Sequence, residues 1–183
     1  MTKVCMIMAI GPKGIIGKGD KLAWHSKNDF YHFIQQTKGW PCIFGATTFY
    51  GLPKYPLKNR LNIVVDIDCK KTELVLGENG NWIQTNDIKV AIDLTKSYDK
   101  VFICGGKSIY KYCLEHNLID EIYLTHITSP DLEKLVADNN EDLVYFPIDL
   151  DNYTKGWKQE KIEYTNDELV AENLHCEFIK FIR

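Results

Sequence analysis

Between Val101 and Ile127 the chain runs V-F-I-C-G-G-K-S-I-Y-K-Y-C and then D-E-I-Y-L-T-H-I. An apolar strand, a Gly-Gly step, an amphipathic helix and a second strand follow one another. That order argues for strands joined through helices packed on a sheet. Gly105 and Gly106 tolerate backbone geometry that other residues resist, and they let the main chain approach a ligand closely. Placed at the end of an apolar run and opening a helix, the pair leaves N–H donors where a phosphate could sit. It fits a plain strand-to-helix turn equally well.

The rest of the chain extends this pattern. Strands are expected at 3–10, 41–44, 61–65, 82–84, 101–104, 121–128, 157–164 and 176–181. Helices are expected at 26–37, 47–52, 87–95 and 107–115, with Ser26 and Asp87 suited as N-caps. Strand and helix alternate through the first two thirds, which argues for a mainly parallel sheet with helices on both faces. The last third reads as strands without an intervening helix, hence antiparallel edges. Residues 133–142 (E-K-L-V-A-D-N-N-E-D) are polar and acidic and read as a surface loop. No repeat, low-complexity run or interdomain linker appears, so residues 1–183 are expected to form a single domain.

A chain of 183 residues with 45% apolar content can bury one sizeable core. Its net charge of −3, with scattered Lys and Arg, gives no footprint for nucleic acid. The apolar start, Val4 to Ile10, is closed by Gly11-Pro12. It is too short for a membrane span and lacks a signal peptide's cationic flank and cleavage site. A cytoplasmic protein without membrane partners is expected. The six cysteines (5, 42, 69, 104, 113, 176) form no C-x-x-C and have no histidine nearby at ligand spacing. Cys5, Cys42 and Cys104 sit in apolar strands, where a thiol behaves as a small hydrophobe. His126 and His175 have no second ligand near them, so no metal is expected.

Several side chains have the character of a binding site. The first strand is followed by a loop with four glycines, Gly11-Pro-Lys-Gly14-Ile-Ile-Gly17-Lys-Gly19, which reads as a lid. The loop runs on to Leu22-Ala-Trp24, and Trp24 could equally be a hydrophobic anchor. Asp29 shares a helix face with Phe33, beside Phe30. A carboxylate on an apolar face is costly unless something pairs with it. It either complements the helix N-terminus or holds a planar, N–H-rich ligand flanked by the phenylalanines. Gly45, Thr47 and Thr48 offer donors at a second helix start, with Thr47 also readable as an ordinary N-cap. Arg60, just before a strand, can fork onto a carboxylate or simply be solvated.

In order, these residues resemble the dihydrofolate reductase family: A-I-x(5)-I-G, W, D-F-x-x-F, T, P-x-I-F-G-x-x-T-F, L-P, P-L-x-x-R-x-N-I-V-V, GG-x-x-I-Y, Y-L-T-H-I and F-P. The match is close over residues 3–66 and 101–147 and looser elsewhere. The resemblance implies a twisted, mostly parallel eight-stranded α/β sheet with flanking helices. The implied partner is a small-molecule substrate, dihydrofolate, and a monomer is expected. The implied reaction adds hydride from nicotinamide C4 of NADPH to C6 of dihydrofolate and a proton to N5, in one-carbon metabolism.

By position, the resemblance makes Asp29 the group that bonds the pterin's 2-amino group and N3. Thr125 becomes its hydroxyl partner, and Trp24 the holder of an ordered water beside it. Ile7, Ala9, Phe30, Phe33, Leu52 and Cys104 would line the pterin and aminobenzoyl pocket, Leu57 would pack the aminobenzoyl ring, and Arg60 would bind the glutamate carboxylate. Ala9, Ile16, Gly17, Leu22 and Tyr110 would surround the nicotinamide. Gly45, Ala46, Thr47, Thr48, Val65, Asp66, Cys104, Gly105, Gly106, Lys107, Ser108 and Ile109 would take the rest of the cofactor. The family also implies a cis bond between Gly105 and Gly106.

The chain departs from the family at four places. Ala46 stands where a basic residue often grips the cofactor's 2′-phosphate. Asp66 stands where serine or a cation is usual, and an acid there suits a free ribose 2′-OH. A weaker preference for NADPH over NADH is therefore expected, with Lys70, Lys71 and Lys107 as compensating cations. Ala23 replaces a proline before the tryptophan. Near Phe146-Pro147 the usual acid-Thr pair is displaced, with Asp142 early and Val144 in place of threonine. A same-fold reductase of a riboflavin-pathway pyrimidine would not be expected to carry Asp29, Phe33 and Arg60. An inactive nucleotide-binding module would have no use for Trp24, Asp29 and Thr125.

Overall fold

The apolar segments become strands and the capped amphipathic segments become helices in the computed structural model, which describes residues 1–138 and 141–183. In chain order these are β1 (Lys3–Ile10), β2 (Ile15–Lys18), α1 (Lys27–Thr37), β3 (Cys42–Gly45), α2 (Ala46–Tyr50), β4 (Asn62–Val65), β5 (Glu73–Gly77) and β6 (Gly80–Thr85). There follow α3 (Ile88–Asp93), β7 (Lys100–Ile103), α4 (Lys107–Glu115), β8 (Glu121–Thr128), α5 (Pro130–Ala137), β9 (Leu143–Tyr145), α6 (Leu150–Tyr153), β10 (Lys158–Ile162) and β11 (His175–Ile182). The chain divides into two compact units, and β1 is split between them at Met6.

The first unit, Met1–Met6 with Thr37–Asp120, carries strands in the order β1-β7-β3-β4-β6-β5. β1 with β7, β7 with β3, β3 with β4 and β4 with β6 all pair in parallel. Parallel strands lie under helices on both faces and so read as near-continuous apolar runs. Ile43, Ile63, Val64, Val101 and Ile103 are accordingly buried without exposure. Asp87 caps α3 as expected, accepting from the N–H groups of Lys89 and Val90.

The second unit, Ile7–Gln36 with Glu121–Arg183, carries the order β10-β11-β8-β1. Its outer strands are antiparallel, β11 pairing with both β8 and β10. Ser26 caps α1 as expected, its Oγ accepting from the N–H of Asp29 at 3.0 Å.

Three expectations are corrected. Residues 133–142 are not simply a surface loop: Glu133–Ala137 belong to α5, while Asn139 and Asn140 lie outside the described residues. Ser129 caps that helix, Pro130 opens it, and Leu132 and Val136 bury one face. The signal lay just upstream in S-P-D-L, where serine and proline at a helix start satisfy donors that would otherwise be orphaned. With α5 and α6, the last third is also not helix-free. A strand beyond the eight expected is also present: β5 joins β6 as an antiparallel edge of the first unit's sheet. Its Leu74 and Leu76 point outward, so no buried alternation announces it.

The glycine-rich segment also holds structure. β2 pairs antiparallel with β9, Gly17 facing Val144 and Lys18 facing Leu143. The Gly19 N–H donates to the Asp142 carbonyl at 2.8 Å, and the Phe146 N–H to that of Gly14 at 2.7 Å. Main-chain bonds thus tie the segment to 142–146 despite the displaced acid and the valine. A side chain on Gly17 would meet the Lys21 carbonyl oxygen at 2.7 Å, so the position requires glycine.

A buried histidine supports α1 from behind. His32 is fully buried and stacks on Phe178 at 4.4 Å. Gln36 Nε2 donates to the Tyr164 hydroxyl at 3.1 Å, which leaves that hydroxyl free to donate to His32 Nδ1 at 2.8 Å. Burial lowers the His32 pKa to about 4. Stability that is complete above the unfolded value near 6.5 should therefore drain away as pH falls toward 4, by up to about 3 kcal/mol. Urea titrations of the parent and of His32→Phe at pH 7 and 4.5 should show the variant losing less stability on acidification. Equal losses would refute this role for His32.

Candidate active site

Asp29 stands in the first turn of α1 and belongs to the second unit. The Thr125 hydroxyl of β8 hydrogen-bonds its carboxylate, and Thr125 is 1% exposed. Burial dominates and raises the Asp29 pKa, bonding to Thr125 and the nearby Trp24 indole pull it down, and the Glu172 carboxylate pushes it up. The buried Trp24 N–H lies beside that carboxylate. A carboxyl group held this way keeps its proton to higher pH than a free carboxylate, in contact with a hydroxyl that fixes its orientation.

The other expected residues of this unit surround that group unevenly. Ile7 and Gly17 are buried, and Ala9, Ile16 and Phe33 half-buried. Leu22 is 58% and Phe30 49% exposed. Phe30 and Phe33 lie with ring centroids 6.4 Å apart and planes 24° from parallel.

In the first unit, the Gly105–Gly106 bond is cis, as the family resemblance implied. Gly105 has φ of +109°, and a side chain there would meet the Tyr110 hydroxyl at 3.0 Å. A side chain on Gly106 would meet Thr48 Oγ1 at 2.8 Å. The Gly45 N–H donates to the Gly105 carbonyl at 2.6 Å, which ties β3 to this turn. The two helices that start here, α2 after Gly45 and α4 after Gly106, have no side-chain cap. Their first N–H groups and the Thr47 and Thr48 hydroxyls form a glycine-walled cradle suited to an anion such as a diphosphate. Ala46, Lys107, Ser108 and Ile109 adjoin it in sequence, and Cys104 is buried just before the turn.

Val65 ends β4 opposite Gly45. Next to it, Asp66 Oδ1 accepts from the Asp68 N–H at 3.0 Å and Oδ2 from Gln84 Nε2 at 3.1 Å. The carboxylate is thereby fixed, with acceptor capacity to spare. Lys71 pairs with Glu73 at 3.6 Å, while Lys70 and Lys107 are exposed. Arg60 is braced on two sides: Nη1 donates to Thr37 Oγ1 at 2.5 Å and Nε to the Lys58 carbonyl at 3.1 Å. Asn62 pins the preceding loop, accepting from the Leu57 N–H and donating to the Leu57 and Arg60 carbonyls. Leu57 is buried there, and Leu52 half-buried.

Sequence reasoning did not single out Thr37, Asn62, Gln84 or Glu172 as supports. Asn62 left a trace as a polar residue opening an apolar strand. Glu172 left none, since it acts on α1 from 145 residues away.

A family model described as dihydrofolate reductase matches residues 3–183. A type 9 dihydrofolate reductase of Escherichia coli is 31% identical over 130 residues, covering 69% of this chain and 71% of that protein. A dihydrofolate reductase of Haemophilus influenzae is 28% identical over 159 residues, covering 86% and 92%. A bifunctional dihydrofolate reductase-thymidylate synthase of Acanthamoeba polyphaga mimivirus is 32% identical over 165 residues, covering 81% of this chain and 28% of that protein.

Proposed function

The chain belongs to the dihydrofolate reductase family, and we propose that Asp29 is the group through which it binds the pterin and helps protonate N5. The chain is an oxidoreductase that reduces dihydrofolate to tetrahydrofolate with a nicotinamide cofactor. The observation that carries the residue assignment is the Asp29 carboxyl, bonded by Thr125 and raised in pKa by burial. The cofactor supplies hydride when bound; the protein's task is orientation, water exclusion and one proton.

In this reading Asp29 accepts from the pterin's 2-amino group and N3, and Thr125 holds the carboxylate in plane. The Trp24 N–H, buried beside Asp29, shares a water with that carboxyl group. The water carries the proton toward N5. Ile7, Phe33, Leu52 and Leu57 pack the substrate's rings, and Arg60 forks onto its glutamate carboxylate. The glycine-walled cradle at Gly45 and Gly105-Gly106 takes the cofactor diphosphate, and Tyr110, Ala9 and Ile16 pack its nicotinamide. The preferred cofactor is NADPH. Residues 1–183 act as one domain, as a cytoplasmic monomer that uses neither nucleic acid nor membrane. No helix among the described residues is long and apolar enough to cross a membrane.

Steady-state kinetics test the substrate side. The parent should oxidise NADPH only when dihydrofolate is added. Arg60→Leu should raise KM for dihydrofolate and leave that for NADPH unchanged, because only the glutamate tail loses its fork. Inhibitors without a glutamate tail should bind the variant almost as they bind the parent. Equal weakening of tailed and tailless inhibitors would refute the role, and a parent inert toward dihydrofolate would refute the function.

A further inference from the structure

Glu172 lies in the long connection between β10 and β11, far in sequence from α1, yet it occupies that helix's N-terminus. Its Oε1 accepts from the Lys27 N–H at 2.5 Å. Its Oε2 accepts from Ser26 Oγ at 2.8 Å and from the Asn28 N–H at 3.4 Å. Asn28 locks the same connection in place, its Nδ2 donating to the Val170 carbonyl at 2.8 Å and its Oδ1 accepting from the Val170 N–H at 2.9 Å. Tyr31 adds a bond to Glu168 at 3.2 Å. The carboxylate is therefore held against the first turn of α1 by a built set of contacts.

The first turn of α1 is also where Asp29 sits. A helix N-terminus stabilises negative charge through its free N–H groups and its dipole. Asp29 stands in the same turn whose donors Glu172 occupies. Glu172 takes the donors and brings a second negative charge. Both effects disfavour ionised Asp29.

We propose that Glu172 is a positioning residue for the reaction: its carboxylate, seated on the start of α1, adds to burial in keeping the proton on Asp29. The proposal rests on the reading of Asp29 given above. Burial is the larger influence that keeps the proton on Asp29, and Glu172 adds to it. Thr125 and Trp24 favour the charged form, and Glu172 opposes it. Cys176 of β11, 3.5 Å from Ser26 Oγ, is a thiol pushed up to about 11 by burial and stays neutral. His32, further along α1, is neutral above about 4. Glu172 itself shares its surroundings with Glu133 of α5 and His175 of β11, which line the same surface hollow.

Two measurements on Glu172→Gln test this. The substitution keeps an oxygen acceptor for α1 and removes the charge. Carbon-13 NMR of aspartate-labelled apoprotein should show Asp29 titrating about half a unit or more lower than in the parent. The alkaline fall in turnover should move to lower pH by the same amount. Glu172→Lys should move both further in the same direction, and serves alone if the glutamine variant does not fold. An unchanged Asp29 titration, even with lower thermal stability, would make Glu172 a helix cap only and overturn the proposal. A shifted titration with an unshifted turnover profile would overturn it differently, by removing Asp29 from the proton path.

Discussion

Asp29→Asn should lower kcat at pH 8 by about 10²-fold or more, the scale of a lost general-acid contribution. The deficit should shrink as pH falls, because solvent then protonates the substrate before hydride arrives. The amide keeps the size and one acceptor of the carboxyl, so Thr125 retains a partner and binding of dihydrofolate should suffer less than turnover. Stability should move the other way. Burial raises the Asp29 pKa in the folded protein, so the ionised group opposes folding at pH values above that raised pKa. The asparagine variant should thus unfold at higher denaturant than the parent at pH 8. The difference should vanish once both folded and unfolded parent are protonated. A variant with near-parental turnover at pH 8 would remove Asp29 from the chemistry.

Exchanging both departures near the ribose should shift cofactor choice by a comparable amount. Ala46→Arg with Asp66→Ser is expected to strengthen NADPH binding by about 1–3 kcal/mol, the scale of hydrogen bonds to charged groups. That corresponds to roughly 5- to 150-fold in Kd. NADH binding should change little. The Asp66 carboxylate is held by the Asp68 N–H and by Gln84, which keeps a negative charge at the end of β4 where a 2′-phosphate would be repelled. Serine can still accept from the Asp68 N–H and keep the turn. The parent should prefer NADPH only modestly, since Lys71 is engaged with Glu73 and leaves Lys70 and Lys107 to compensate. A double variant that treats both cofactors as the parent does would show that these positions do not face the ribose.

Much of the fold was readable because its signals are local. The apolar runs of β3, β4 and β7 mark strands buried on both faces, and Ser26 and Asp87 are caps that act within three residues. The elements that escaped notice owe their existence to distant partners or inverted exposure. β2 and β9 are short and pair with each other, and glycines in β2 erase any alternation. β5 turns its leucines outward at the sheet edge. α5 was masked by its acidic surface, although its Ser-Pro start was in plain view. The candidate site divides in the same way. Asp29, Arg60 and the glycine pair carry their chemistry in their own side chains or backbone. Thr37 braces Arg60 through one bond, Asn62 pins the loop before it through three, and Glu172 reaches α1 from far along the chain. Residue type alone cannot signal such support.

Isotope transfer tests the central claim most directly. NADPH deuterated at nicotinamide C4 should be incubated with the protein and dihydrofolate, and the product examined by NMR. The tetrahydrofolate should carry one deuterium at C6 and a solvent-derived proton at N5. A product without deuterium at C6, or cofactor oxidation without tetrahydrofolate, would contradict the account.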